Sequence, residues 1–449
     1  MPNLRSIALA AGLLVSAAAS AQSPAAPTTP PEQWTIIHCG SLLAIPGRPP
    51  LANASVIVKD QRINAVREGF VNPDQSPAPP GATVNVIDLK NRFVLPGLID
   101  CHVHLTHQTS PDARLQTVTM SDADAALNAV VYSRKTLDAG FTSVRDLGAS
   151  GDTIFAVRDA INDGRIPGPR ICAAGKAISP TGGHGDKTNS FRPDVFDLPG
   201  PIQGIADGPD ACRQAVRNQV KRGADCIKLT ATGGVLSNIG AGLEQQFFDD
   251  ELAAIIDTGH LLKKKVAAHA HGVNGINAAL RAGVDSIEHG TYLDDESIRL
   301  FKEKGAYYVP TITAGKSVEE YARTPGYYIP QVMKKAQTVG PLIQEAFARA
   351  YKAGVKIAFG TDAGVFPHGD NWRELLYMAD AGMKPDEIIK SATVNAADLL
   401  DWSNDVGSIE PGKYADLIAV TGDPLRDIAV LKNIDVVIKS GEIAKDARR

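Results

Sequence analysis

After Pro96 the chain settles into a rhythm. Short, almost wholly apolar runs alternate with longer stretches whose apolar residues recur every three or four positions. Eight short runs stand out: GLIDCHVH (97–104), TSVRDLG (142–148), RICAAGKAI (170–178), CIKLTAT (226–232), KVAAHAH (265–271), SIEHG (286–290), YYVPTIT (307–313) and KIAFGTDAG (356–364). Apolar runs of this length, bounded by turn formers, predict strands buried on both faces. The stretches between them, such as DADAALNAVVYSRKTLDAG and PDACRQAVRNQVKRGA, carry helical spacing. Gly140, Gly223, Gly283 and Gly354 stand where a helix would end before the next strand. This alternation predicts a parallel sheet with helical crossovers. Eight repeats within residues 96–406 fit an α/β fold of the (β/α)8 TIM-type barrel class better than an open sheet.

The two ends of the chain are patterned differently. Residues 34–95 (WTIIHCGSLLAI, ASVIVKDQRINAV, TVNVIDL) and 407–449 (GSIEPGKYADLIAV, IDVVIKSGEIA) read as short strands broken by Pro, Gly, Asn and Asp. The simplest organisation pairs both portions into one small β-sandwich domain beside the barrel. At the start, Met1–Arg5 carries one positive side chain, Ile7–Ala19 is small and apolar, and Ala19-Ser20-Ala21 matches a small-x-small cleavage site. This predicts a signal peptide over 1–21, cut before Gln22, and export to the periplasm or beyond. Residues 22–33, rich in Pro, Ala and Thr, predict a disordered linker. No lipobox cysteine follows, so no lipid anchor is expected. No later run approaches ~18 apolar residues, so no membrane span is expected either.

Composition narrows the partners. Of 449 residues, 44% are hydrophobic and 21% charged, an ordinary globular balance with material for a large core. A net charge of −4, without a long Lys/Arg run, argues against nucleic acid and against an anionic membrane surface. The five cysteines (Cys39, Cys101, Cys172, Cys212, Cys226) are scattered and odd in number, so no disulfide framework is expected.

In a barrel of this kind, catalytic groups stand at the C-terminal ends of the strands. His102 and His104 alternate along the first strand and therefore share a face. Lys228 lies on the fourth strand, His269 on the fifth, His289 on the sixth, and Asp362 at the end of the eighth. Imidazoles and a carboxylate suit divalent transition metals, with zinc the default from ligand type. An H-x-H pair alone is a weak signal, whereas six such residues at one end of one barrel are not a chance pattern. Lys228 is the odd member, since an ammonium repels a metal. A lysine desolvated among cations has a depressed pKa, and its neutral amine takes up CO2 to give an anionic carbamate able to bridge two ions. The competing reading is a buried lysine paired with Asp225 or Asp146.

PGLIDCHVH, IKLTATGG, AAHAH, IEHG and FGTDAG resemble the amidohydrolase superfamily over nearly the whole chain after the leader, including the PGKYADLIAV segment. Within it, the likeness is to the imidazolonepropionase-related branch of metal-dependent dipeptidases and carboxypeptidases, nearest to bacterial amidohydrolases that cleave ochratoxin A. The resemblance implies a distorted barrel with a binuclear metal centre and, commonly, a homo-oligomer. It implies that His102 and His104 bind one metal and His269 and His289 the other. Carboxylated Lys228 would bridge them, with Asp362 on the first metal and the hydrolytic water.

Other residues are open to two readings. His184, in the loop SPTGGHGD, would polarise a carbonyl or hold a substrate carboxylate, or be a solvated loop residue. His271 would be a substrate contact or support the ligands, or simply pack. His107, His368 and Tyr292 are weaker candidates, and Arg145 with Asp146 reads as a structural ion pair. The function expected is hydrolysis of an N-acyl amino acid or dipeptide with an apolar residue, ochratoxin A being the specific candidate. A cyclic amide or lactone hydrolase, or a non-enzymatic binding protein on the same fold, are the alternatives.

Overall fold

Four strands precede the first candidate ligand: β1 (Trp34–Leu42), β2 (Leu51–Lys59), β3 (Arg62–Glu68) and β4 (Val84–Pro96). Eight short strands follow: β5 (Leu98–Val103), β6 (Phe141–Asp146), β7 (Arg170–Ala173), β8 (Ile227–Thr230), β9 (Val266–Ala270), β10 (Ser286–His289), β11 (Tyr307–Val309) and β12 (Lys356–Ile357). The chain closes with β13 (Leu417–Val420), β14 (Val436–Lys439) and β15 (Glu442–Asp446). This is a computed structural model, and it describes residues 32–149, 151–238 and 242–448. The expected signal peptide and the linker as far as residue 31 lie outside the described residues. Among the described residues, no helix is long and apolar enough to cross a membrane.

The architecture is α/β of TIM-barrel type. β5 to β7 form one parallel ladder and β8 to β12 another. A few backbone hydrogen bonds run between the two ladders. Ile178 N donates to Lys228 O (2.8 Å) on one side, and Cys101 N to Phe359 O (2.9 Å) and Asp362 N to His102 O (2.7 Å) on the other.

Each expected run contains a strand, but three are much shorter than the pattern predicts. In 307–313, Pro310 lacks a donor and Thr311 takes φ 52°, so the strand ends at Val309 and a helix, Ile312–Tyr321, begins. In 170–178, Gly175 at φ 72° breaks the run. In 356–364, only two residues pair as strand, and the rest curls around Asp362. The four predicted terminal glycines all take positive φ just after a helix, from 78° at Gly354 to 105° at Gly223.

The strands from both chain ends form one seven-stranded sheet, in the order β15-β14-β13-β4-β1-β2-β3, where the sequence led us to expect a sandwich. β4 joins the halves, parallel to β1 and antiparallel to β13. Alternation divides the sheet's apolar residues between two cores. Val94, Leu417 and Ala419 pack with Ile37, Val56 and Ile438 in a core of the sheet's own. Phe93, Leu95, Ile418 and Val420 turn the other way and join Leu98, Leu137 and Phe141 in the main core. The five cysteines are free and buried, as small apolar residues would be.

Candidate metal centre

The strand ends bring the predicted ligands into two groups. His102, His104 and Asp362 offer nitrogen and oxygen atoms all within 4.8 Å of one another, and so do His269, His271 and His289. Lys228, on β8, is buried, and its charge acts on both groups. His271 therefore stands beside the expected ligands His269 and His289.

Hydrogen bonds fix the imidazole tautomers. His102 Nδ1 lies 2.9 Å from Glu288 Oε2, and His104 Nδ1 lies 2.9 Å from Gly148 O. Both partners can only accept, so both Nδ1 atoms carry the proton. Thr311 Oγ1 donates to Pro310 O (2.7 Å) and so accepts from His289 Nδ1, also at 2.7 Å. His269 differs: its Nε2 faces Gly233 O at 3.3 Å, which leaves Nδ1 as its lone-pair atom. In each ring one nitrogen is committed to the protein, and the other is left for a ligand.

This arrangement suits cations. Asp362 Oδ1 lies 3.5 Å from His102 Nε2 and 3.2 Å from His104 Nε2, is buried, and has no well-formed hydrogen bond. With Nδ1 protonated, both Nε2 atoms and the carboxylate oxygen present lone pairs to one another. Such a cluster is repulsive unless a positive charge sits among it. Burial, then the Lys228 charge, hold His102 down at about 4. Burial and the neighbouring imidazoles push His269 and His289 well below the usual histidine range. Neutral rings at physiological pH are what a metal requires. His104 goes the other way: burial lowers it, but the adjoining Asp362 carboxylate raises it more. Burial would raise Asp362, but His102 and His104 hold it far below the carboxylate range.

The backbone around the site is strained. His289 (φ 73°), Thr311 (φ 52°) and Asp362 (φ 62°) all lie in the left-handed region that non-glycine residues avoid. Above them opens a cavity of about 600 Å³. All six predicted ligands line it, with His184 and His271. His184 stacks on His269 with ring centroids 4.1 Å apart, and burial lowers its pKa to about 3. Its Nδ1 is buried without a partner.

Residues 93–444 match the family model described as the amidohydrolase family. The chain belongs to the amidohydrolase family. It is 34% identical to ochratoxinase from Aspergillus niger, over 92% of this chain and 86% of that one. Among solved structures it resembles a Xaa-Pro dipeptidase with methionine bound in its active site, at 44% identity and a TM-score of 0.86, covering 91% of this chain and 99% of that one. A prolidase complexed with N-methylphosphonate-L-proline matches at 31% identity and a TM-score of 0.80, covering 92% and 100%. This amidohydrolase is thus a hydrolytic enzyme acting on amide bonds, from a family whose members generally bind metal ions.

Two sequence readings of the site need correction. Arg145 does not pair with Asp146. It reaches Glu288 Oε1 at 2.9 Å, while Asp146 accepts from Leu105 N (2.7 Å) and Gly148 N (3.2 Å). Neighbours on a strand point to opposite faces, so the two never meet. Lys228 is not paired with Asp225 or Asp146 either, since Asp225 is held by Arg158 at 2.8 Å. Of the weaker candidates, His107 lines the cavity, His368 holds His107 O at 3.1 Å, and Tyr292 packs among Val235 and Val318.

The supporting residues escaped the sequence reading. Glu288 is fully buried between His102 and Arg145. Burial would raise its pKa, but Arg145 and His102 bring it to about 2. Asp100 accepts from His102 N (3.0 Å), Thr361 N (3.1 Å), Thr361 Oγ1 (2.6 Å) and Asn371 Nδ2 (2.8 Å), and so clamps β5 to the segment carrying Asp362. Each lies one or two residues from a predicted ligand, and that proximity was the available signal.

Proposed function

We propose that this protein is a binuclear metal-dependent amide hydrolase that cleaves an N-acyl amino acid or dipeptide with an apolar residue, ochratoxin A being the specific candidate substrate. The observation that carries this reading is the gathering of His102, His104 and Asp362 in one group, and of His269, His271 and His289 in another, along the lining of one cavity. Lys228 completes the set. Burial lowers its pKa to about 8, so a fraction of the amine is neutral near pH 7. That amine attacks CO2, an N–C bond forms, the displaced proton leaves to solvent, and the resulting carbamate is an anion placed between the two groups. His102, His104 and Asp362 would hold one ion, and His269 and His289 the other, with His271 beside them.

Bound there, zinc or a similar divalent ion supplies Lewis acidity and lowers the pKa of water. The residues do the rest. Asp362, ionised throughout the neutral range, takes the proton of the attacking water and passes it to the leaving nitrogen. His184 and His271, both neutral at that pH, face the cavity and are placed to hold the substrate carbonyl or carboxylate. An amide is both a poor electrophile and a poor leaving group, so both kinds of help are needed. Val235, Val318, Val339 and Ile343 give the cavity an apolar wall that suits an apolar side chain. Export directed by residues 1–21 and assembly of several copies belong to the same reading; mature exported protein beginning at Gln22 would support the first.

Release of free phenylalanine from ochratoxin A by the purified protein, with and without a chelator, tests the proposal. Chelator-sensitive release is the expected result. No release from a protein carrying two equivalents of metal would reject the substrate, and full activity in Lys228→Ala would reject the bridged centre.

A further inference from the structure

The loop after β8 passes the histidine cluster on two consecutive glycines, Gly233 and Gly234. Gly233 O faces His269 Nε2 at 3.3 Å and also accepts from Thr232 Oγ1 (2.9 Å). Gly234 lies against the His184 ring, where no Cβ fits. Close approach to the rings therefore demands glycine. Two glycines in a row, however, give a backbone that loses much conformational freedom when held in one place. A turn of this kind seats two rings only if something outside it fixes it.

Part of the hold is local. Gly234 N donates to Ser237 Oγ (3.3 Å), and Ser237 Oγ donates back to Gly234 O (2.9 Å). Asn238 Nδ2 reaches Ser190 Oγ in the loop after β7 at 2.9 Å. The rest comes from the helix Pro330–Lys352. Its residues Val339 and Ile343 line the cavity, and Lys335 stands four residues before Val339, on the same face. Helical spacing favours an apolar residue in that row, and the chain places a lysine there. Its Nζ donates to Gly234 O and to Ser237 O, both at 2.6 Å. Among the described residues Lys335 forms no ion pair. It is half-buried, and loss of hydration lowers its pKa to about 8, which leaves it mostly an ammonium at pH 7. Holding a cation there for two carbonyls alone works against stability. What it secures is the place of the turn.

We propose that Lys335 is a positioning residue that latches the turn 234–237 to the helix Pro330–Lys352 and, through that turn, seats His184 and His269 at the cavity. The inference rests on the amide hydrolase reading above and assigns to that site a residue that acts through the backbone. Methionine at this position keeps an unbranched side chain of similar length and removes the charge. Gly234 O then still has Ser237 Oγ as a donor, and Ser237 is only half-buried, so water can serve its carbonyl. The fold survives the change, and the seating of the rings does not.

The test compares wild type, Lys335→Met and Lys335→Arg by amide hydrogen exchange, thermal unfolding and steady-state hydrolysis of ochratoxin A. In Lys335→Met, exchange across 233–238 should quicken about tenfold or more, while exchange in the barrel strands is unchanged and the thermal midpoint is held or raised. We expect kcat to fall about 5- to 20-fold with KM changed less than about threefold. Lys335→Arg, whose guanidinium can donate to both carbonyls, should recover most of the lost kcat and protection. Unaltered exchange across 233–238, an unaltered kcat, or a lowered midpoint with exchange quickened throughout the barrel overturns the latch and leaves the hydrolase reading intact. Wild type inert toward ochratoxin A, with exchange quickened only across 233–238 in Lys335→Met, removes the substrate reading and leaves the latch standing.

Discussion

His102 shows how much machinery stands behind one candidate ligand. Its backbone N–H is held by Asp100 and its Nδ1 by Glu288, and Glu288 is held in turn by Arg145, so Nε2 has little freedom. Glu288 is an acid whose pKa falls on folding. Its contribution to stability is therefore complete above the unfolded value near 4.5 and is lost as pH falls through about 2. Glu288→Gln strands Arg145 in the core, and we expect it to cost about 3–5 kcal/mol at pH 7. Urea unfolding at pH 7 and at pH 3 checks this: the gap between wild type and variant should narrow in acid, and an equal gap at both would sink the argument. That His102 and His104 share a face was legible in the sequence because alternation along a strand is a local rule, and H-x-H obeys it. Glu288 was not, because its partners, Arg145 and His102, stand on β6 and β5, and no local pattern reports a pairing across the barrel.

At the scale of elements, two loops and a helix shape the site. An added Cβ on Gly234 would lie 2.2 Å from the His184 ring, so the loop after β8 can pass only as glycine. Gly234→Ala should move His184 and lower kcat about tenfold or more while the thermal midpoint changes little; an unchanged kcat would remove His184 from the mechanism. The helix Ile312–Tyr321 starts at Thr311, the residue that orients His289, and Glu374 caps it. Glu374 is fully buried and accepts from Ile312 N (2.8 Å), Thr313 N (2.7 Å) and Thr313 Oγ1 (2.6 Å). Glu374→Ala leaves those donors without partners, and we expect a loss of about 2–4 kcal/mol in denaturant unfolding. A loss below about 1 kcal/mol would show that water replaces the cap. This helix was read from sequence as the end of a strand. The tyrosines and threonines of 307–313 favour β structure, and Pro310 together with the tertiary contacts of Glu374 tips the balance at Thr311.

At the scale of the molecule, the metal ions proposed for the site would be part of the folding energy, because the buried cluster of lone pairs is repulsive without a cation among it. Any ion that binds only the folded state stabilises it by mass action. Removing metal should therefore lower the thermal midpoint by several degrees, and titrating zinc back should raise it in proportion to the logarithm of free zinc. A midpoint indifferent to chelation, in protein shown to have carried metal, would mean that the cluster is tolerated empty. The barrel-type rhythm was readable because each strand–helix repeat is local. The single seven-stranded sheet was not, because which strand joins which is decided by β4, whose two faces serve different cores.

That sheet also sets a schedule. Arg62 donates to Gly412 O across 350 positions of the chain, and β4 waits for β13 through the making of every helix between them. On the ribosome, the early strands emerge with one edge of β4 unpaired and stay so until almost the last residues are made. A nascent or truncated chain thus presents a bare β edge, open to pairing with another such chain. Folding chaperones would meet this protein chiefly as that unfinished intermediate, and its yield in a cell would depend more on how long the edge stays open than on the stability of the finished enzyme.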